Sequence, residues 1–142
     1  MINNNVFSIF LFMFVGFIFL MLAIVIFLIV ATWKMYEKAN KPGWAAIVPI
    51  YNIIVLFEII GYKWYYIFLT LIGIIPIIGT AAAILFNISY SIKLAKSFGQ
   101  EVGFGIGLWL LNPIFVSIIA FSKDINYVGP AVNGDIDFND LF

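Results

Sequence analysis

The chain has 142 residues, of which 65% are hydrophobic and only 10% charged, with seven basic residues (all Lys), seven acids, and no His or Cys. Soluble domains are roughly 45–50% apolar and about 25% charged, so these few charges cannot coat a water-facing surface and lipid must solvate most of it. The same absences remove thiolate and imidazole metal sites, His or Cys catalysis, and a net basic face for nucleic acid; no cofactor is expected.

Residues 6–33 form an uncharged run of 28 residues, and about 20 suffice to span a bilayer. A cleaved signal peptide is the alternative, but no basic residue precedes the run and no small-x-small site follows it. Residues 34–42 read as a polar loop carrying Lys34, Lys38 and Lys41 against Glu37. Residues 44–60 form a short second span containing Pro49, with a re-entrant helix as the rival reading. Trp64, Tyr65 and Tyr66 then mark a membrane interface.

Apolar sequence continues to about residue 92, interrupted by Pro76 and Gly79. As one helix, this segment leaves Lys34, Lys38, Lys41, Lys93 and Lys96 on one side, with Lys63 and Lys123 opposite. As two helices it abolishes that bias, so the positive-inside rule favours one. Residues 93–103 form a second basic loop, and 104–121 the last span, with Pro113 near its middle. The predicted fold is all-α, a compact bundle of about four transmembrane helices over 6–33, 44–60, 64–92 and 104–121. The transmembrane domain covers 1–130, an acidic tail follows over 131–142, and the N-terminus and C-terminus both lie outside. Gly43, Pro49, Ile50, Ile54 and Phe57 return 64 residues later as Gly107, Pro113, Ile114, Ile118 and Phe121, a weak internal echo.

The stretch Lys38-Ala39-Asn40-Lys41-Pro42-Gly43-Trp44-Ala45, followed by Pro49-Ile50-Tyr51-Asn52, is distinctive. So are Leu94-Ala95-Lys96-Ser97-Phe98-Gly99, Gly103-Phe104-Gly105-Ile106-Gly107 and Tyr127-Val128-Gly129-Pro130. Over roughly residues 34–130 the chain resembles an uncharacterised family of small bacterial multi-pass membrane proteins, a domain of unknown function, some members of which are labelled signal peptidase I. Asn40 stands where the family pattern has Gly. The resemblance implies a bacterial inner membrane and brings no catalytic residues. The peptidase label needs a Ser nucleophile and a Lys base on a folded domain outside the membrane. Ser89, Ser91 and Ser97 beside Lys93 and Lys96 fall at an inner helix end, and adjacent Ser122 and Lys123 do not face each other on a helix.

Asn52 and Asn112 are the most informative polar residues. Each falls near the centre of its span and beside a proline, where an unpaired amide facing lipid would cost kilocalories. They are expected to form one intramembrane polar cluster, with Tyr51 nearby, either as a structural hydrogen bond or as part of a pathway. Glu58 is a candidate functional carboxylate, with an interfacial ion pair near Lys63 as the plainer alternative. Gly103 with Gly107, and Gly79 with Ala83, fit close helix packing within the chain or between copies. Asp135, Asp137 and Asp140 read as a solvated tail, since the calcium-loop pattern is absent.

The function read from these features is a non-enzymatic membrane module that binds membrane lipid or a membrane protein partner. The alternative is an oligomeric channel or transporter with a midplane polar cluster, formed by self-association. An intramembrane enzyme is disfavoured, because no nucleophile–base pair or metal cluster falls at one depth.

Overall fold

The computed structural model describes residues 3–68 and 78–132. Within them the chain is all-helical. Helix α1 spans Asn4–Lys38, a 3-10 segment Gly43–Ile47, α2 Pro49–Ile60, a 3-10 turn Trp64–Tyr66, α3 Ile78–Ser97, α4 Val102–Leu110 and α5 Asn112–Phe121. Among the described residues, only α1 is long and apolar enough to cross a membrane by length and composition. The continuity of the third expected span through Pro76 and the acidic tail lie outside the described residues.

The long helices extend further into the charged segments than the sequence pattern suggests. The expected loop over 34–42 is helical as far as Lys38, and the one over 93–103 as far as Ser97. Each helix ends in the same left-handed cap. Asn40 (φ 56°) follows α1, and Lys41 N–H returns to Tyr36 O at 2.9 Å; Gly99 (φ 68°) follows α3, and Gln100 N–H returns to Ala95 O at 2.9 Å. Helix α2 closes likewise, with Gly61 at φ 99° and Tyr62 N–H on Phe57 O at 2.8 Å. This geometry satisfies carbonyls that a helix C-terminus leaves without partners.

Two expected spans are reversals instead. Across 44–60 the backbone breaks at Val48, ahead of Pro49. Trp44 and Tyr51 then stack with ring centroids 5.0 Å apart, and Lys41 reaches Glu58 at 2.8 Å. A straight helix would separate the latter pair by about 25 Å. Across 104–121 the break falls at Leu111 (φ −129°, ψ 48°). Phe104 meets Phe115 edge to face at 4.8 Å, where a straight helix would hold them about 16 Å apart. Proline sits at the start of both returning helices, where its missing N–H costs nothing. The second and fourth segments therefore share one plan, a short entering limb turned back into a proline-led helix.

The molecule thus consists of two similar halves, each a long helix followed by a short hairpin. Helix α1 packs against the first hairpin's 3-10 limb and against α5; α3 packs against α4 and against α2. Each long helix therefore holds its own hairpin's entering limb and the other hairpin's returning helix.

The C-terminal ends of α1, α2, α3 and α5 gather at one end of the molecule, laced together by residues 122–132. Lys38 donates from Nζ to Ile119 O at 2.5 Å, to Ser122 O and to Ile125 O at 2.9 Å. Tyr127 donates from its hydroxyl to Ile59 O at 2.8 Å, Val128 N–H to Ser97 O at 2.9 Å, and Val132 N–H to Ile60 O at 2.9 Å. The core sits at this end, around Met35, Tyr36, Ile59, Leu94, Phe98 and Ile119. Residues 3–27, by contrast, are exposed throughout. These bonds bring Lys38 and the end of the last expected span to the same end of the molecule, where the sequence pattern sets them apart.

Close packing of the second hairpin falls on Gly105, between the two glycines the sequence pattern singles out. A Cβ on Gly105 would lie 2.5 Å from Ile92 Cα, while one on Gly103 would meet nothing and one on Gly107 would strike the Phe115 ring. Gly79 is buried and Ala83 half-buried on α3. Gly105→Leu should lower the melting temperature in detergent, at a cost of about 1–3 kcal/mol or more because backbone must move. Gly103→Leu should leave it unchanged, and equal losses for both variants would refute this packing.

Candidate functional site

Between α1, α2, α3 and α5 lies a cavity of about 170 Å³, lined by Thr32, Met35, Asn52, Leu56, Tyr90, Leu94, Asn112 and Val116. Each helix contributes two residues. The four on α1 and α3 come from their last two turns, and the four on α2 and α5 from their first two turns, just past the reversals. Asn52 and Val116 occupy equivalent places in the two halves, three residues after Pro49 and Pro113 respectively.

Asn52 is fixed on both sides of its amide. Its Oδ1 accepts from the buried Tyr36 hydroxyl on α1, and its Nδ2 donates to Ala46 O at 3.2 Å. The second bond ties a carbonyl of the entering limb to the returning helix, so the side chain clasps the hairpin and anchors it to α1. Thr32 donates to Leu28 O at 2.9 Å and keeps lone pairs to offer the cavity. The Asn112 amide and the Tyr90 hydroxyl make no hydrogen bond among the described residues, and both line the cavity. Asn112 is exposed, so the cavity opens toward the reversals, while residues 122–132 lie across the other end.

Both asparagines that the sequence pattern selects therefore line one cavity. Tyr51 does not line it; its ring stacks on Trp44. Glu58 lies outside it, half-exposed and paired with Lys41 rather than with Lys63. A pair this exposed contributes about 0–1 kcal/mol. Tyr36 and Thr32 escape sequence reasoning because their neighbourhood reads as loop and span end, and Tyr90 because it sits in a segment whose facing side had no other marker. Of the serines near lysines, Ser89, Ser91 and Ser97 are buried, as is Lys93, whose Nζ lies 5.2 Å from the Tyr62 ring centre, while Ser122 is half-buried beside an exposed Lys123.

A family described as a family of unknown function, DUF5684, matches residues 44–130, from the first hairpin through most of the closing segment. No curated protein and no solved structure matches the chain.

Asn52→Leu removes both clasps and leaves the Tyr36 hydroxyl only its longer bond, 3.2 Å, to the backbone carbonyl of residue 52. The variant should lose about 1–3 kcal/mol of stability, and Tyr36→Phe with Asn52→Leu together should lose less than the sum of the two single changes. Additive losses in chemical denaturation would show that the two side chains act separately.

Proposed function

We propose that this chain, which belongs to the DUF5684 family of unknown function, is an integral membrane protein that binds a small uncharged polar solute in the cavity between its two halves. The observation that carries the reading is the cavity itself: polar groups with unused hydrogen-bonding capacity, met at the starts of two proline-led half-helices, in a chain that is otherwise apolar. Discontinuous helices in membrane proteins place such non-helical backbone where it lines a cavity, with positive helix ends turned toward the ligand.

Dimensions support the membrane setting. Helix α1, at about 52 Å, exceeds a hydrocarbon core of about 30 Å, while α2, α4 and α5 at about 13–18 Å reach only halfway. The reversals are apolar and exposed, with Ile50 69% and Leu110 63% accessible. Every lysine lies near the end where the helices terminate, which by the positive-inside rule faces the cytoplasm. The N-terminus is then outside and residue 132 inside, in what the family resemblance makes a bacterial inner membrane. The cavity opens away from the cytoplasm.

Size and lining define the solute. The volume equals about six water molecules at roughly 30 Å³ each, and no charged side chain lines it. Small amides, ureas and polyols fit; ions do not. The reading is non-enzymatic, supported by the burial of Ser89, Ser91, Ser97 and Lys93. A second reading, a partner-binding module, is favoured by the bare apolar length of α1 over residues 3–27. That reading leaves the cavity filled with water alone.

In lipid nanodiscs, acetamide and glycerol should give saturation-transfer signals from the protein, and Asn112→Leu should abolish them while Lys63→Gln leaves them intact. Signals that survive Asn112→Leu, or none from the wild type, would remove the solute-binding proposal.

A further inference from the structure

A second feature lies on the outer face of the bundle, away from the solute cavity. An apolar groove of about 550 Å³ runs between α1 and α5, with Phe27, Leu28, Ile114 and Ile118 among its walls and Phe121 at its cytoplasmic end. The Phe121 ring stacks on Phe27 at 5.8 Å, and Lys34 Nζ stands 4.7 Å from the same ring's centre. Lys34 is the first charged residue of the chain and follows directly on the uncharged run. Its ammonium therefore stands at the boundary between hydrocarbon and headgroups, at the mouth of an apolar trough.

The carboxylates nearby are engaged elsewhere. Glu37 accepts from Trp33 Nε1 at 2.7 Å, and Glu58 pairs with Lys41. Among the described residues no carboxylate lies within ion-pair distance of Lys34. Lys38, one turn on, spends its protons on three backbone carbonyls. Lys34 is thus an exposed ammonium with a ring face beneath it and room for an anion above. Lys123 adds a second positive charge two residues past Phe121, with Asp124 beside it.

We infer that this groove is a binding site for an anionic phospholipid, its acyl chain along α1 and α5 and its phosphate on Lys34. The inference rests on the membrane setting proposed above and is independent of the solute cavity. An acyl chain matches these walls, whose one polar side chain, Ser117, donates its hydroxyl to Pro113 O at 2.7 Å, and a phosphate at the headgroup level meets the ammonium without dragging charge into the hydrocarbon. A zwitterionic lipid would fill the same trough, but its own cation would compete for the phosphate.

Native mass spectrometry of the intact protein released from detergent, with phosphatidylglycerol and phosphatidylcholine of matched chains, tests this. Wild type should retain phosphatidylglycerol about fivefold more than phosphatidylcholine, the difference one lysine–phosphate contact gives. Lys34→Gln should erase the preference, Lys34→Arg should keep it, and Lys63→Gln should leave it untouched. Ile118→Trp, which fills the trough, should lower retention of both lipids. Equal retention of the two lipids by wild type, or a preference that survives Lys34→Gln, would overturn the proposal. A Lys34→Gln melting temperature equal to wild type in lipid-free detergent would confirm that the lost preference is not lost folding.

Discussion

The arrangement depends on how α5 ends. Helices α1, α2 and α3 each close with a left-handed residue whose following N–H returns to the last turn. Helix α5 leads instead into extended backbone at Ser122, and its free carbonyls are met by the Lys38 ammonium. A cation at a helix C-terminus satisfies orphan acceptors and opposes the negative end of the helix dipole. In an apolar molecule that contact also decides topology. It fixes the end of α5 beside the end of α1, and a chain leaving α3 at the same end must descend and return within residues 102–121.

The two halves follow from that geometry. The left-handed caps Asn40 and Gly99 are 59 residues apart, whereas Pro49 and Pro113 are 64 apart. Four residues of the difference are the longer entering limb of the second hairpin, a nine-residue α-helix where the first has a five-residue 3-10 segment, and the fifth is Asn112, placed between the break and Pro113. Because the spacing changes within the repeat, a single-offset comparison finds only part of the similarity. The cavity lies where the halves meet. Its polarity is uneven because Asn52 in one half corresponds to Val116 in the other, while Asn112 comes from the position just before the proline. The first half spends its asparagine on clasping a hairpin, and the second leaves its own exposed at the cavity mouth.

Much of this was legible in the sequence, and the reasons for the rest are physical. The apolar run over 6–33 identifies α1, the prolines mark where helices restart, and the two asparagines singled out both line the cavity, Asn52 half-buried and Asn112 exposed at its mouth. Direction was not legible. An apolar stretch of 104–121 has the length of a span, and hydropathy counts residues without registering that Leu111 turns the chain back. Asn112 and Pro113 follow directly on that turn, but inside an apolar stretch a single Asn-Pro pair reads equally well as a kink in one span. The lysine-rich segments read as loops since charge argues for water, yet Lys38 is a helix cap and Lys93 is buried against an aromatic ring. The glycine spacing pointed to Gly103 and Gly107, but contact between helices depends on the face presented, and that face belongs to Gly105.

Whether the chain's helices end together is open to a direct measurement. The protein has no cysteine, so single cysteines at Asn40, after α1, and at Asn126, in the segment past α5, report sidedness without background. Both should be shielded from an impermeant thiol reagent added outside intact cells, and both should react once the membrane is opened. Reaction at Asn126 with protection at Asn40 would place the ends of α1 and α5 on opposite faces and contradict the Lys38 contact from which the arrangement follows.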